Sequence, residues 1–135
     1  MTTRFADTYF FLALLDGKDQ HHARVAKYAT EETEALVTTR WVLAETANAL
    51  SGSESRQKVA AFLSQIESDP LVKILPHSDA LYQRGLDLYA QRRDKSWSLT
   101  DCISFVAMAD EGLCEALTGD RHFAQAGFMP IFAEG

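Results

Sequence analysis

Four carboxylates stand where a folded chain seldom leaves acids idle: Asp7, Glu45, Asp101 and Asp120. Asp7 follows the strand-like run Arg4–Ala6, and Asp120 follows Ala116–Thr118; each precedes a helix. Glu45 lies inside Trp41–Leu50, a helical segment apolar on nearly every side, and such a helix is expected to be buried on several faces. Asp101 sits at the start of Thr100–Asp110, another helix with little polar surface. Taken one at a time, each has an ordinary reading. Asp7 and Asp120 suit a helix N-cap. Glu45 suits a partner arginine, or a narrow solvent-facing strip with Thr46 and Asn48. Ser98 and Asp101 stand at capping-box spacing, although the usual residue at the second position is the longer Glu or Gln. Taken together, they describe another chemistry. Carboxylates gathered in one hole repel one another, so without a cation at least one must have a raised pKa. A divalent ion removes the conflict, and an all-oxygen donor set selects hard ions, Mg2+ or Mn2+, over zinc or copper. Mg2+ takes only one or two carboxylates directly, so some of the four are expected to act through water or on a second ion.

The elements needed to bring these acids together are legible in the residue pattern. Arg4–Ala6, Leu36–Thr39, Val72–Leu75, Ala116–Thr118 and Met129–Phe132 read as short strands. Thr8–Leu15, His21–Thr30, Trp41–Leu50, Gln57–Ile66, Asp79–Arg92, Thr100–Asp110 and a short stretch after Asp120 read as helices. Val59, Phe62, Leu63 and Ile66 show the helical i, i+3, i+4, i+7 spacing. Strands alternating with helices predict an α/β fold with a mostly parallel sheet. In such sheets ligands bind outside the carboxyl ends of the strands, which is where Asp7 and Asp120 fall.

Composition sets outer bounds. The 135 residues amount to one domain, and 47% hydrophobic content is enough for a core at that size. Cys102 and Cys114 have no Cys or His neighbour at zinc-ligand spacing and read as reduced core thiols. His21 and His22, adjacent in sequence, read as surface residues. Tyr9–Leu15 is apolar but too short to span a bilayer, and Asp7 and Asp16 bracket it with no cleavage site following; a cytoplasmic location with no membrane role is expected. The net charge of −6 argues against a nonspecific nucleic-acid binder, which carries a basic face.

The acids also lie in four stretches that carry a family likeness. Phe5-Ala6-Asp7-Thr8 with the apolar run after it, Thr38–Glu45, Trp97–Phe105, and Leu117–Phe123 followed by Gln125–Phe128 resemble, in order and spacing, the four motifs of PIN domains. The later two are especially similar to those of VapC-like toxins of bacterial toxin–antitoxin pairs. The resemblance implies a three-layer α/β/α sandwich around a parallel sheet of about five strands. It implies RNA phosphodiester hydrolysis with Mg2+ or Mn2+, and metal-site roles for Asp7, Glu45, Asp101 and Asp120. Ser98, Thr100 and Thr118 would then orient those carboxylates by hydrogen bonds. A cognate antitoxin and a homodimer are implied in the same way.

On that reading Asp7 and Asp101, at rigid element ends, are the expected direct ligands, and Glu45 holds or deprotonates a water. Arg40, Arg92, Arg93, Lys95 and Arg121 lie close to the motifs in sequence and are expected to line the rim for contact with the RNA backbone; ordinary solvated surface charge is the competing reading. Two other functions fit less well. A Mg2+-binding phospho-acceptor domain wants paired acids before the acceptor strand and a lysine after a late strand, and here Asp120-Arg121 follows the late strand. A catalytically idle domain that only binds a partner protein would not need all four acids. An Asp-x-Asp phosphatase fails because residue 9 is tyrosine.

Overall fold

The computed structural model describes residues 2–32 and 34–134. Its strands are β1 (Thr3–Ala6), β2 (Ala35–Thr39), β3 (Val72–Leu75), β4 (Glu115–Leu117) and β5 (Met129–Pro130). Its helices are α1 (Thr8–Leu15), α2 (His22–Glu31), α3 (Arg40–Ala49), α4 (Arg56–Ile66), α5 (Asp79–Gln91), α6 (Leu99–Asp110) and α7 (Arg121–Gln125). The five strands form one parallel sheet in the order β3-β2-β1-β4-β5. Successive strand residues point to opposite faces. Phe5 and Ala6 on β1, Val37, Thr38 and Thr39 on β2, and Ala116 and Leu117 on β4 are all buried, so helices cover both faces and the molecule has three layers, α/β/α. A sheet buried on both sides accounts for strands that are apolar without alternation.

The strand order carries the functional geometry. The chain runs from β1 outward through β2 to β3, then returns to the other side of β1 for β4 and β5. The direction of winding reverses between β1 and β4, the point outside whose carboxyl ends sheets of this kind form their binding crevice. The register pairs Phe5 with Ala116 and Ala6 with Leu117, so the next residues along, Asp7 and Thr118, leave the sheet side by side.

Aromatic packing then fixes the elements around that crevice. Phe123 of α7 is fully buried between Phe5 of β1, 6.5 Å away between ring centres, and Phe105 of α6, 4.9 Å away edge-on. Trp97 packs edge-on against Phe105 at 5.0 Å. A five-residue helix has little stability of its own; Phe123 is what holds α7, and with it Asp120 and His122, against α6.

Several expectations need correction. Cys114 is exposed just ahead of β4; Cys102 is buried in α6, and both are free thiols. His21 and His22 are part-buried: the His21 ring packs 4.9 Å from Tyr9, and His22 Nδ1 lies 2.6 Å from the Ala13 carbonyl oxygen. The last strand is shorter than expected, Met129–Pro130, although the backbone N–H groups of Ile131 and Phe132 still donate to the carbonyls of Ala116 and Thr118 at 2.9 and 3.0 Å. Helix α3 is not buried all round: Arg40, Ala44, Asn48 and Ala49 are exposed. No helix among the described residues is long and apolar enough to cross a membrane.

Candidate metal centre

Asp7 occupies the N-cap position of α1 with extended backbone angles, yet its side chain makes no capping bond. Its Oδ2 instead accepts a hydrogen bond from the Thr118 hydroxyl at 2.9 Å, across the β1–β4 boundary. The carboxyl is only 5% exposed, and no cation pairs with it among the described residues. Burial is the main force raising its pKa to about 7; the Thr118 hydrogen bond opposes the shift, and the charges of Asp101 and Glu45 add to it. Burial rather than crowding therefore dominates the shift, with the neighbouring acids adding to it.

Glu45, on the second turn of α3, is part-buried rather than buried. Its anchor is the Thr8 hydroxyl, which donates to Oε1 at 2.5 Å. No arginine reaches it among the described residues. The first residue of α1 thereby ties α3 to the carboxyl end of β1, a contact no local pattern announced.

Asp101 closes the capping box that the sequence left open. Its backbone N–H donates to Ser98 Oγ at 3.0 Å, and its Oδ2 accepts the Ser98 backbone N–H at 3.3 Å. Capping is not its whole role, because the same oxygen lies 3.1 Å from His122 Nδ1. Burial raises the pKa of Asp101, the His122 hydrogen bond works against that, and the charge of Asp120 reinforces it. Asp120 caps α7, accepting the His122 backbone N–H at 2.9 Å, and its Oδ1 lies 3.5 Å from His122 Nδ1.

The expected orienting residues divide. Thr118 does the work expected of it and more, since its oxygen also accepts the Asp120 backbone N–H at 3.0 Å. One hydroxyl therefore sets both the Asp7 carboxylate and the turn that carries Asp120. Ser98 holds Asp101 through its backbone N–H, while its hydroxyl caps the helix. Thr100 makes no side-chain bond to any of the four acids among the described residues; its carbonyl accepts the Ser104 hydroxyl at 2.9 Å. The sequence reading missed Thr8 and His122. His122 was discoverable, since it lies on the first turn of the helix that Asp120 caps. Gly119 lacks a side chain for a steric reason: a Cβ there would sit 2.8 Å from the Tyr9 ring.

Arg93 and Lys95 line a hollow with Tyr89, Trp97 and Ser98, beside the start of α6. Arg121 lines another with Tyr9 and Gly119. These three make no ion pair among the described residues, whereas Arg92 is held by Asp94 and stacks 4.9 Å over Trp97. Arg40 is engaged with Glu67 through both terminal guanidinium nitrogens. Arg4, on β1 itself, is committed to Glu34 and Glu115 and does not reach Asp7.

The donor set fits a divalent ion. Among the described residues, Asp101, Asp120 and His122 each offer a ligand atom within 4.8 Å of the others, two carboxylates and an imidazole; Asp7 and Glu45 lie outside that group. Thr118→Val tests how the site is supported. The variant keeps the side-chain shape but leaves Asp7 without its donor, so Mn2+ affinity measured by calorimetry should fall roughly 10–100-fold, as for other residues that orient metal ligands. Unchanged affinity would mean that Thr118 serves only the fold.

No curated protein matches the chain in sequence. Among solved structures it is similar to Mycobacterium tuberculosis VapC20, a sarcin–ricin loop cleaving toxin, with a TM-score of 0.86 and 22% identity over 96% of this chain and 98% of that one. It is also similar to FitAcB from Neisseria gonorrhoeae, with a TM-score of 0.64 and 18% identity over 96% of this chain and 95% of that one. DNA-bound VapBC from Salmonella typhimurium gives a TM-score of 0.64 and 14% identity over 96% of both chains. At these identities the likeness establishes a shared fold. The PIN domain family model matches residues 4–129, a span that contains all four acids, and the chain belongs to the PIN-domain family.

Proposed function

We propose that this chain is a Mg2+- or Mn2+-dependent endoribonuclease acting as the toxin of a toxin–antitoxin pair. The observation that carries the reading is the buried carboxyl of Asp7, within reach of the charges of Asp101 and Glu45 and neutralised by no cation among the described residues. Asp7, Asp101 and Asp120 would hold the ion, and Glu45, braced by Thr8, would orient or deprotonate the attacking water. A divalent ion bound there supplies Lewis acidity, acidifying water and offsetting the charge of the scissile phosphate. Arg93, Lys95 and Arg121 would seat the flanking backbone, which lets a chain of net charge −6 meet RNA on one side only. Limited basic surface favours structured RNA, recognised by shape, over indiscriminate binding. The expected partners are an antitoxin that covers the acidic crevice and a second copy of the chain.

Purified protein should cleave a structured RNA stem-loop with Mn2+, and EDTA or co-expressed antitoxin should stop it. Persistent cleavage in EDTA would remove the metal from the mechanism. Millimolar Mn2+ should raise the melting temperature, because a ligand confined to the folded state stabilises by RT ln(1 + [L]/Kd), about 2.7 kcal/mol at a hundredfold excess over Kd. With roughly 3–4 °C per kcal/mol at this size, the rise should be about 10 °C. Scanning calorimetry with no shift would end the metal-site reading.

A further inference from the structure

We propose that His122 is a nitrogen ligand to the divalent ion, shared with Asp101 and Asp120, and that it biases the site toward Mn2+ over Mg2+. The inference rests on the metal-dependent reading above and goes beyond it, because the acids alone describe an all-oxygen site.

The geometry of the three side chains is that of ligands around one ion. His122 Nδ1 is 3.1 Å from Asp101 Oδ2 and 3.5 Å from Asp120 Oδ1, and one donor atom from each residue lies within 4.8 Å of the others. An octahedral ion with bonds of about 2.1 Å places neighbouring ligands about 3.0 Å apart and opposite ligands about 4.2 Å apart. Both separations from His122 Nδ1 fall between those two values. With its proton on Nε2, His122 would present the Nδ1 lone pair to an ion seated beside, rather than between, Nδ1 and the Asp101 oxygen.

The turn that presents His122 is built to be rigid. Its backbone N–H is bound by Asp120, and the next residue, Phe123, is locked between Phe5 and Phe105. The ring is 20% exposed, enough for an ion to enter.

Donor chemistry gives the preference. Mg2+ is held by oxygen and gains little from imidazole. Imidazole suits transition ions, and a mixed nitrogen–oxygen set shifts selection away from Mg2+. The carboxylates alone discriminate little between Mg2+ and Mn2+.

Pulsed electron paramagnetic resonance on the Mn2+-loaded wild-type chain reads the ligand directly. A coordinated imidazole nitrogen should give a strong 14N modulation, absent in His122→Asn. Calorimetry of both proteins with each ion should show the Mn2+:Mg2+ affinity ratio falling at least tenfold in the variant. Bound Mn2+ without 14N coupling in the wild type, or coupling that persists in His122→Asn, would overturn the role of His122 and leave the carboxylate site standing. No binding of Mn2+ to the wild type would overturn both this inference and the nuclease reading. The wild-type spectrum decides even if the variant folds poorly.

Discussion

Asp7→Asn should abolish cleavage and, in the absence of metal, make the protein more stable. The loss of activity follows from removing the deepest carboxylate of the metal centre. An ion that supplies several kcal/mol of transition-state stabilisation, at 1.36 kcal/mol per tenfold in rate, corresponds to a fall of about 10^3 or more in kcat/KM. The gain in stability follows from the burial of that same group. Its pKa in the folded, metal-free chain is raised from 3.8 to about 7. A carboxyl raised in this way contributes its full stabilisation below the unfolded value, near pH 4, and loses it as pH rises through about 7, because the folded state must then bury a charge. The loss is on the order of a few kcal/mol above pH 7. Asparagine has nearly the same shape, its carbonyl can still accept from Thr118, and it never ionises. In EDTA at pH 8 the variant should melt above the wild type, and the gap should close toward pH 4. Mn2+ should reverse the order by raising the wild type alone. A variant that melts below the wild type at pH 8 in EDTA, or that still cleaves RNA, would show that Asp7 is not the strained centre of the site.

Gly85→Val is expected to be the most damaging change away from the acids. Gly85 is buried in α5 where α5 meets α6. A Cβ at that position would lie 2.4 Å from Ile103 Cγ1 and 3.0 Å from Ile103 Cα. The first contact can be relieved by turning a side chain; the second is with backbone, so the helices must separate. Even Gly85→Ala should lose stability, because overpacking costs about 1–3 kcal/mol while the helix-propensity gain of alanine is only about 1 kcal/mol. Valine adds branching against the same wall, and its melting temperature should fall by about 10 °C or more. Coupled substitution with Ile103→Ala should cost less than the sum of the single changes. Additive costs would place the strain elsewhere. Since Ile103 and Asp101 share α6, the valine variant should also bind Mn2+ more weakly than the wild type. An antitoxin bound to the folded state would mask part of the melting defect, so the measurement belongs on the isolated chain.

The two variants separate the roles of the molecule's glycines and acids. Gly85 serves the approach of two helices that position Asp101. On the proposed reading Asp7 does the reverse: above pH 7 it lowers the stability of the fold, and it keeps a carboxyl where an ion would meet it. Sites that bind or react commonly break a rule that the rest of the chain obeys.

Much of this was already present in the order of residues. Short apolar runs alternating with amphipathic segments determined a parallel sheet with helices on both faces, because a strand with no polar side must be covered twice. The acids at the ends of Arg4–Ala6 and Ala116–Thr118 were marked by position, and Glu45 and Asp101 by their apolar surroundings. What the sequence could not determine is who meets whom. Asp7 and Thr118 are joined because the register pairs Ala6 with Leu117, a contact across 111 positions that no periodicity encodes. Local pattern could not distinguish Thr8, which braces Glu45, from Thr100, which braces none of the acids. Nor could it show that Arg40 is engaged by Glu67, that Cys114 faces outward, or that α3 keeps one face open. Periodicity records how much of an element is buried. Only the tertiary structure, through strand register and the packing of Phe123, decides which side chains share the hole and brings His122 to its edge.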